Sequence, residues 1–110
     1  IVSAAVRECF EAGGVEVVSV AGLDLPNANN WEALLLPDET VIDMIRAGDH
    51  PDAETIYLGC TSLRTAHLME AAEDAVGKPV VTANGATVWQ GLRLMGPDAR
   101  VDGRGALYRL

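Results

Sequence analysis

Twice in this 110-residue chain a short apolar run ends in a small polar turn and passes straight into a helical pattern. The first run is 55–59, followed by Cys60, Thr61 and Ser62, and then by 63–76. There Leu63, Ala66, Met69 and Ala72 recur at helical spacing, with Arg64, Glu70, Glu73 and Asp74 on the outer side. Gly77 suits the C-cap of that helix, and Pro79 forbids its continuation. The second run begins at Val80 and Val81, turns through Thr82, Ala83, Asn84 and Gly85, and continues as a helix carrying Val88, Trp89, Leu92 and Leu94 up to Gly96. Strands that alternate with helices in this order predict right-handed β-α-β crossovers and a parallel sheet covered by helices. The fold class is α/β, a three-layer parallel sheet flanked by helices.

The alternation extends upstream. Over 2–12 the apolar positions Val2, Ala5, Val6, Cys9 and Phe10 predict a helix, stopped by Gly13 and Gly14. The valine-rich run 15–21 has the composition of a buried parallel strand. Residues 22–37 hold Gly22, Pro26, Asn27, Asn29, Asn30 and Pro37 and read as a long loop, a lid or a plain surface excursion, with Trp31 and 34–36 tucked beneath it. Asp38 is expected to cap a helix over 38–47 that buries Val41, Ile42 and Ile45, with Gly48 ending it. A glycine-punctuated stretch, 98–105, leads to 106–110, read as an edge strand. The length and an apolar share of 49% suit a single domain, 1–110, with its own core.

Eight Lys and Arg against sixteen Asp and Glu give a net charge of −8, which repels phosphate backbones, so nucleic acid is not expected as a partner. No apolar run approaches the roughly 20 residues that span a bilayer, and no basic start precedes an apolar stretch, so no membrane is expected and the reading is a soluble, cytoplasmic protein. Cys9 and Cys60 lie in segments of opposite character and read as two free thiols, Cys9 as a core residue of its helix. His50 and His67 have no second ligand at metal spacing, and the glycines form neither a phosphate loop nor a dinucleotide pattern. No metal and no cofactor are expected.

Ligands of parallel α/β sheets bind beyond the carboxyl ends of the strands. Two turns satisfy that rule, 59–62 and 82–85. In the first, Cys60 stands where a strand gives way to a helix, and the helix N-terminus would favour its thiolate while the amides of Thr61 and Ser62 hold a carboxylate or an oxyanion. The same residues also fit a plainer role, with Cys60 as a small core residue and Thr61 or Ser62 as the N-cap. Asn84 in the second turn suits either a substrate carboxylate or a helix N-cap.

The stretch from Gly59 through Cys60, Thr61, Ser62, Leu63 and Arg64 to Thr65, then 77–86, Trp89 and 92–96, resembles the C-terminal half of the maleate cis-trans isomerase and arylmalonate decarboxylase group of the aspartate/glutamate racemase superfamily. Residues 11–14, the valine run and 21–23 resemble the segment that opens that half. The resemblance implies a two-domain, cofactor-independent enzyme with its site in the cleft between similar α/β halves, acting on a small dicarboxylate. It implies that Cys60 is the catalytic cysteine of the second half, with Thr61, Ser62 and Asn84 binding carboxylate. In racemases two cysteines face each other across the substrate carbon. In isomerases the other cysteine adds to the double bond while this one assists, and in decarboxylases this one alone protonates an enediolate. The first half of that architecture is not in these residues. The chain opens within a helical pattern and without Met, which leads to the expectation that it belongs to a longer protein whose N-terminal domain is its partner; a homo-oligomer is left open.

Overall fold

The computed structural model describes residues 2–22, 30–96, 98 and 100–110. Helix α1 (Val2–Ala12) is followed by α2 (Asn30–Leu34), α3 (Asp38–Gly48), β1 (Ile56–Leu58), α4 (Met69–Val76), β2 (Val80–Thr82), α5 (Ala83–Met95) and a closing 3-10 helix (Ala106–Arg109). Among the described residues the sheet is the parallel pair of β1 and β2, with Ile56 opposite Val80, Tyr57 opposite Val81 and Leu58 opposite Thr82. This register puts Ile56, Leu58, Val80 and Thr82 on one face and Tyr57 with Val81 on the other, because strand side chains alternate.

The first face carries the core. Val80 packs with Ala33 of α2, Val41 and Ile45 of α3, Leu63, Leu68, and Met69 and Ala72 of α4, while Ile56, Leu58 and Cys60 close its edge half-buried. On the opposite face Phe10 of α1 meets Tyr57 edge to face, with ring centroids 4.9 Å apart. Helices therefore cover both sides of a parallel sheet, as the α/β alternation predicts. Glycines close the elements where the backbone must turn left-handed, Gly14 after α1 at φ 82° and Gly77 after α4 at φ 69°.

Six expectations need correction. Residues 15–21 are extended but join no ladder, and Val15, Val18 and Val20 are exposed by 50%, 37% and 48%. The segment is tied instead through its own groups, the Val17 carbonyl to Arg7 Nη1 at 2.8 Å and the Ser19 hydroxyl to the Gly48 carbonyl at 3.0 Å. Valine composition reports a preference for a half-buried pleated surface, and pairing is decided by what lies alongside. Within 22–37 the chain forms α2, so that part is not a loop; Ala33 is buried and Leu34 and Leu36 are half-buried, but Trp31 and Leu35 face outward. The remaining 23–29, on which the lid reading rests, lie outside the described residues.

Pro37, with extended backbone at φ −60° and ψ 148°, is the residue at the entry of α3, and Asp38 lies in the first turn beside Glu39, where the helix dipole favours acids. Helix α4 starts at Met69, not Leu63, because Leu63, Thr65, Leu68 and Met69 are all buried and no 3.6-residue spiral can turn all four the same way; 61–68 are turns. Residues 106–110 are not an edge strand. The Glu73 carboxylate takes the Ala106 N–H on both oxygens, at 2.8 and 3.0 Å, and winds the segment into the 3-10 helix. Cys9 is exposed, since Val6 and Phe10 form the inner side of α1.

Candidate functional site

Both strands point their carboxyl ends at one cavity of about 650 Å3, a size that suits a small organic ligand. Thr61 and Ser62 enter it from the turn after β1, and Asn84 and Gly85 from the start of α5. Val88 and Leu92 of α5 and Trp31 and Leu34 of α2 supply apolar walls. The expected turn 82–85 is absent, since β2 ends at Thr82 and α5 starts at Ala83, but the two strand ends are joined: Asn84 Nδ2, in the first turn of α5, donates to the Thr61 carbonyl at 2.8 Å. That bond ties the turn after β1 to the start of α5.

Asn84 is therefore not the N-cap of α5. Thr82 is, its hydroxyl accepting the Gly85 N–H at 3.0 Å. Thr61 is exposed and Ser62 half-buried, both in the cavity wall. Cys60 is half-buried one residue before them and packs against the edge of the core rather than forming part of that wall. The helix that was expected to begin directly after it begins at Met69, so neither Thr61 nor Ser62 caps a helix and any anion binding here falls to the turn itself.

Arg64, His67, Arg104 and Tyr108 also line the cavity, and the sequence assigns them no role in a site. Arg64 Nε donates to the Leu34 carbonyl at 3.1 Å, and Arg104 Nη1 to the Ala66 carbonyl at 2.9 Å. His67 Nε2 stands 3.1 Å from Asp38 Oδ2. The Tyr108 hydroxyl donates to the Gly85 carbonyl at 2.9 Å; burial pushes its pKa up, opposed by the nearby Arg104 charge. Arg104 and Tyr108 arrive on the C-terminal segment, and the only hint of their placement was Gly103 and Gly105 flanking the arginine. Gly105 is required: its φ is 89°, and a Cβ there would lie 2.9 Å from Glu73 Oε1 and 3.1 Å from Met69 Cβ. Among the described residues no group of three His, Cys, Asp or Glu side chains is placed to hold a metal ion, and no helix is long and apolar enough to cross a membrane.

Comparison with known proteins extends from the fold to the family. The family profile described as arylmalonate decarboxylase matches residues 1–108. A maleate isomerase of Alcaligenes faecalis is 30% identical over 101 residues, which cover 91% of this chain and 39% of the isomerase. A crystal structure of arylmalonate decarboxylase superposes with a TM-score of 0.72 at 26% identity, covering 92% of this chain and 45% of that one. A structure of unliganded arylmalonate decarboxylase gives 0.61 at 25% identity, over 86% of this chain and 40% of that one. The chain thus spans less than half the length of these relatives. With its α/β architecture and a profile match along nearly all its residues, the chain belongs to the arylmalonate decarboxylase family, in the racemase-like superfamily.

Proposed function

We propose that residues 1–110 form one α/β domain of a cofactor-independent enzyme acting on a small dicarboxylate in the manner of a maleate isomerase. Cys60 is its proton-transferring thiol, and Thr61, Ser62 and Asn84 hold a substrate carboxylate. The observation that supports this reading is the Asn84 to Thr61 bond, which joins the turn after β1 to the start of α5 around one cavity immediately beside the only cysteine near the sheet end among the described residues. In the isomerase chemistry a thiolate of a facing domain adds to one alkene carbon and the displaced electron pair moves into the adjacent carboxylate as an enediolate. The former double bond then rotates, and expulsion of the thiolate gives the trans product, with Cys60 supplying and withdrawing a proton. A carboxylate must be gripped throughout, because the negative charge develops on it.

A second reading is favoured by the family profile and the solved structures, which are arylmalonate decarboxylases. In that chemistry the substrate loses carbon dioxide, its bonding pair forms an enediolate, and Cys60 delivers its S–H proton to the α-carbon before being reprotonated by water. The facing residue separates the two: a cysteine there favours isomerisation or racemisation, a glycine decarboxylation. The test is turnover of maleate, arylmalonates and racemisation substrates by the full-length protein and its Cys60→Ala and Cys9→Ala variants. One activity is expected in the parent and in Cys9→Ala and is lost in Cys60→Ala. Full turnover in Cys60→Ala refutes the catalytic role, and no turnover of any of these by the parent favours a non-catalytic binding module.

A further inference from the structure

We propose that Arg64 and Arg104 form a two-guanidinium clamp for the second carboxylate of the substrate, in the cavity that Thr61, Ser62 and Asn84 also line. The inference rests on the dicarboxylate reading above and adds what selects a diacid over a monoacid.

Placement and charge together single these residues out: of the lysines and arginines among the described residues, Arg64 and Arg104 are the two that line the cavity. With twice as many acids as bases, a cation on this surface has carboxylates within easy reach. Arg7, Arg46, Lys78 and Arg109 each take one, with Glu11, Asp43, Asp49 and the pair Glu70 and Glu73. Arg64 and Arg104 take none among the described residues, and both line the same cavity. Asp38, the acid at the cavity margin, is engaged by His67.

Each guanidinium is oriented by one backbone carbonyl and keeps other donors in hand. Arg64 uses Nε on Leu34, leaving both terminal nitrogens; Arg104 uses Nη1 on Ala66, leaving Nη2 and Nε. The Ala66 bond also anchors Arg104 two residues along the chain from Arg64, so two like charges line a cavity whose lining holds no Asp or Glu. An anion entering the cavity meets two positive charges, and a planar fork is the donor geometry that matches a carboxylate. The segment bearing Arg104 is held rather than loose. Glu73 grips the next-but-one amide, Ala106, and the Tyr108 hydroxyl is bonded to Gly85, beside Asn84. Arg104 and Tyr108 both line the cavity.

The experiment is calorimetric binding of succinate and of acetate to the full-length protein, its Arg64→Gln and Arg104→Gln variants and the corresponding lysine variants, each checked for an unchanged melting temperature. Steady-state kinetics are run in parallel on whichever dicarboxylate is turned over. Each glutamine variant is expected to weaken succinate about tenfold and acetate less than twofold, to raise KM with little change in kcat, and to be partly rescued by lysine. Succinate binding within twofold of the parent in both glutamine variants overturns the clamp, as does equal weakening of succinate and acetate, or no succinate binding by the parent. Failure of the clamp is distinct from failure of the enzyme reading, since the latter is read from turnover by Cys60→Ala and the former from binding by the arginine variants.

Discussion

Glu73 offers the sharpest structural test, because one carboxylate joins three parts of the molecule. It projects from α4, its side chain is 11% exposed, and it accepts the Ala106 N–H on both oxygens and the Val80 N–H at 3.2 Å, with Arg109 Nη2 3.6 Å away. A hydrogen bond to a charged acceptor contributes about 1.5–3 kcal/mol, and truncation leaves two backbone amides unpaired. Arg109 is more than half exposed, so its share is at most about 0.5 kcal/mol. Taking the low end of the range for each amide, since both are only part-buried, Glu73→Ala costs about 3 kcal/mol. At about 4 °C per kcal/mol for a domain of this size, the melting temperature falls by about 12 °C. Glu73→Gln keeps a neutral acceptor and loses about half as much. Thermal unfolding followed by circular dichroism at pH 7 reads both, and limited proteolysis reports whether the 3-10 segment detaches first. A melting temperature for Glu73→Ala within 2 °C of the parent, at the scale of about 4 °C per kcal/mol, refutes the assignment of Glu73 as the clasp.

Three other outcomes follow from particular contacts. Gly105→Ala forces a side chain into the left-handed region and against Glu73 and Met69, costing about 2 kcal/mol or more by denaturant unfolding. Asn84→Ala removes one exposed cross-turn bond, so stability changes by about 1 kcal/mol or less while KM for the dicarboxylate rises severalfold in steady-state assays. The stability profile against pH has two limbs that point mutants can remove. Asp49 has its pKa lowered chiefly by the Lys78 hydrogen bond at 2.6 Å, so it contributes stability above the ordinary aspartate range that is lost as pH falls below about 4 through its depressed folded value. Tyr108 has its pKa raised by burial against the opposing Arg104 charge, so its contribution is complete below about pH 10 and is lost as pH rises through the folded value. Lys78→Ala flattens the first limb and Tyr108→Phe the second, each measured as melting temperature against pH.

What could be read from sequence was what neighbouring residues decide. The strand runs 55–59 and from Val80, the glycine stops at Gly14 and Gly77, and the buried pair Val41 and Ile45 are local matters of branching, caps and periodicity. That Thr61, Ser62 and Asn84 lie beyond the two strand ends followed from the rule for parallel sheets, although Asn84 sits in the first turn of α5 and not in a separate turn. The failures fall where distant groups decide. The valine run 15–21 joins no strand among the described residues, although its composition is that of a strand; the contacts it makes are with distant groups, Val17 with Arg7 and Ser19 with Gly48. The start of α4 slipped because Leu63, Ala66 and Met69 fit helical spacing while Thr65 and Leu68, also buried, break it. The C-terminal segment depends on Glu73, 33 residues from Ala106, and brings Arg104 and Tyr108 into the cavity where no spacing rule could place them. The Asn84 to Thr61 bond, across 23 residues, is of the same kind.

The claim that Cys60 is the reacting thiol can be met directly by chemical modification. The full-length protein is treated with iodoacetamide in the presence and absence of succinate, and alkylation at Cys60 and Cys9 is quantified by peptide mass spectrometry against residual activity. The account predicts that activity is lost in one-to-one proportion to modification of Cys60, that succinate slows that modification, and that alkylation of the exposed Cys9 leaves activity intact. Full activity with Cys60 completely alkylated, or inactivation that tracks another site, contradicts it.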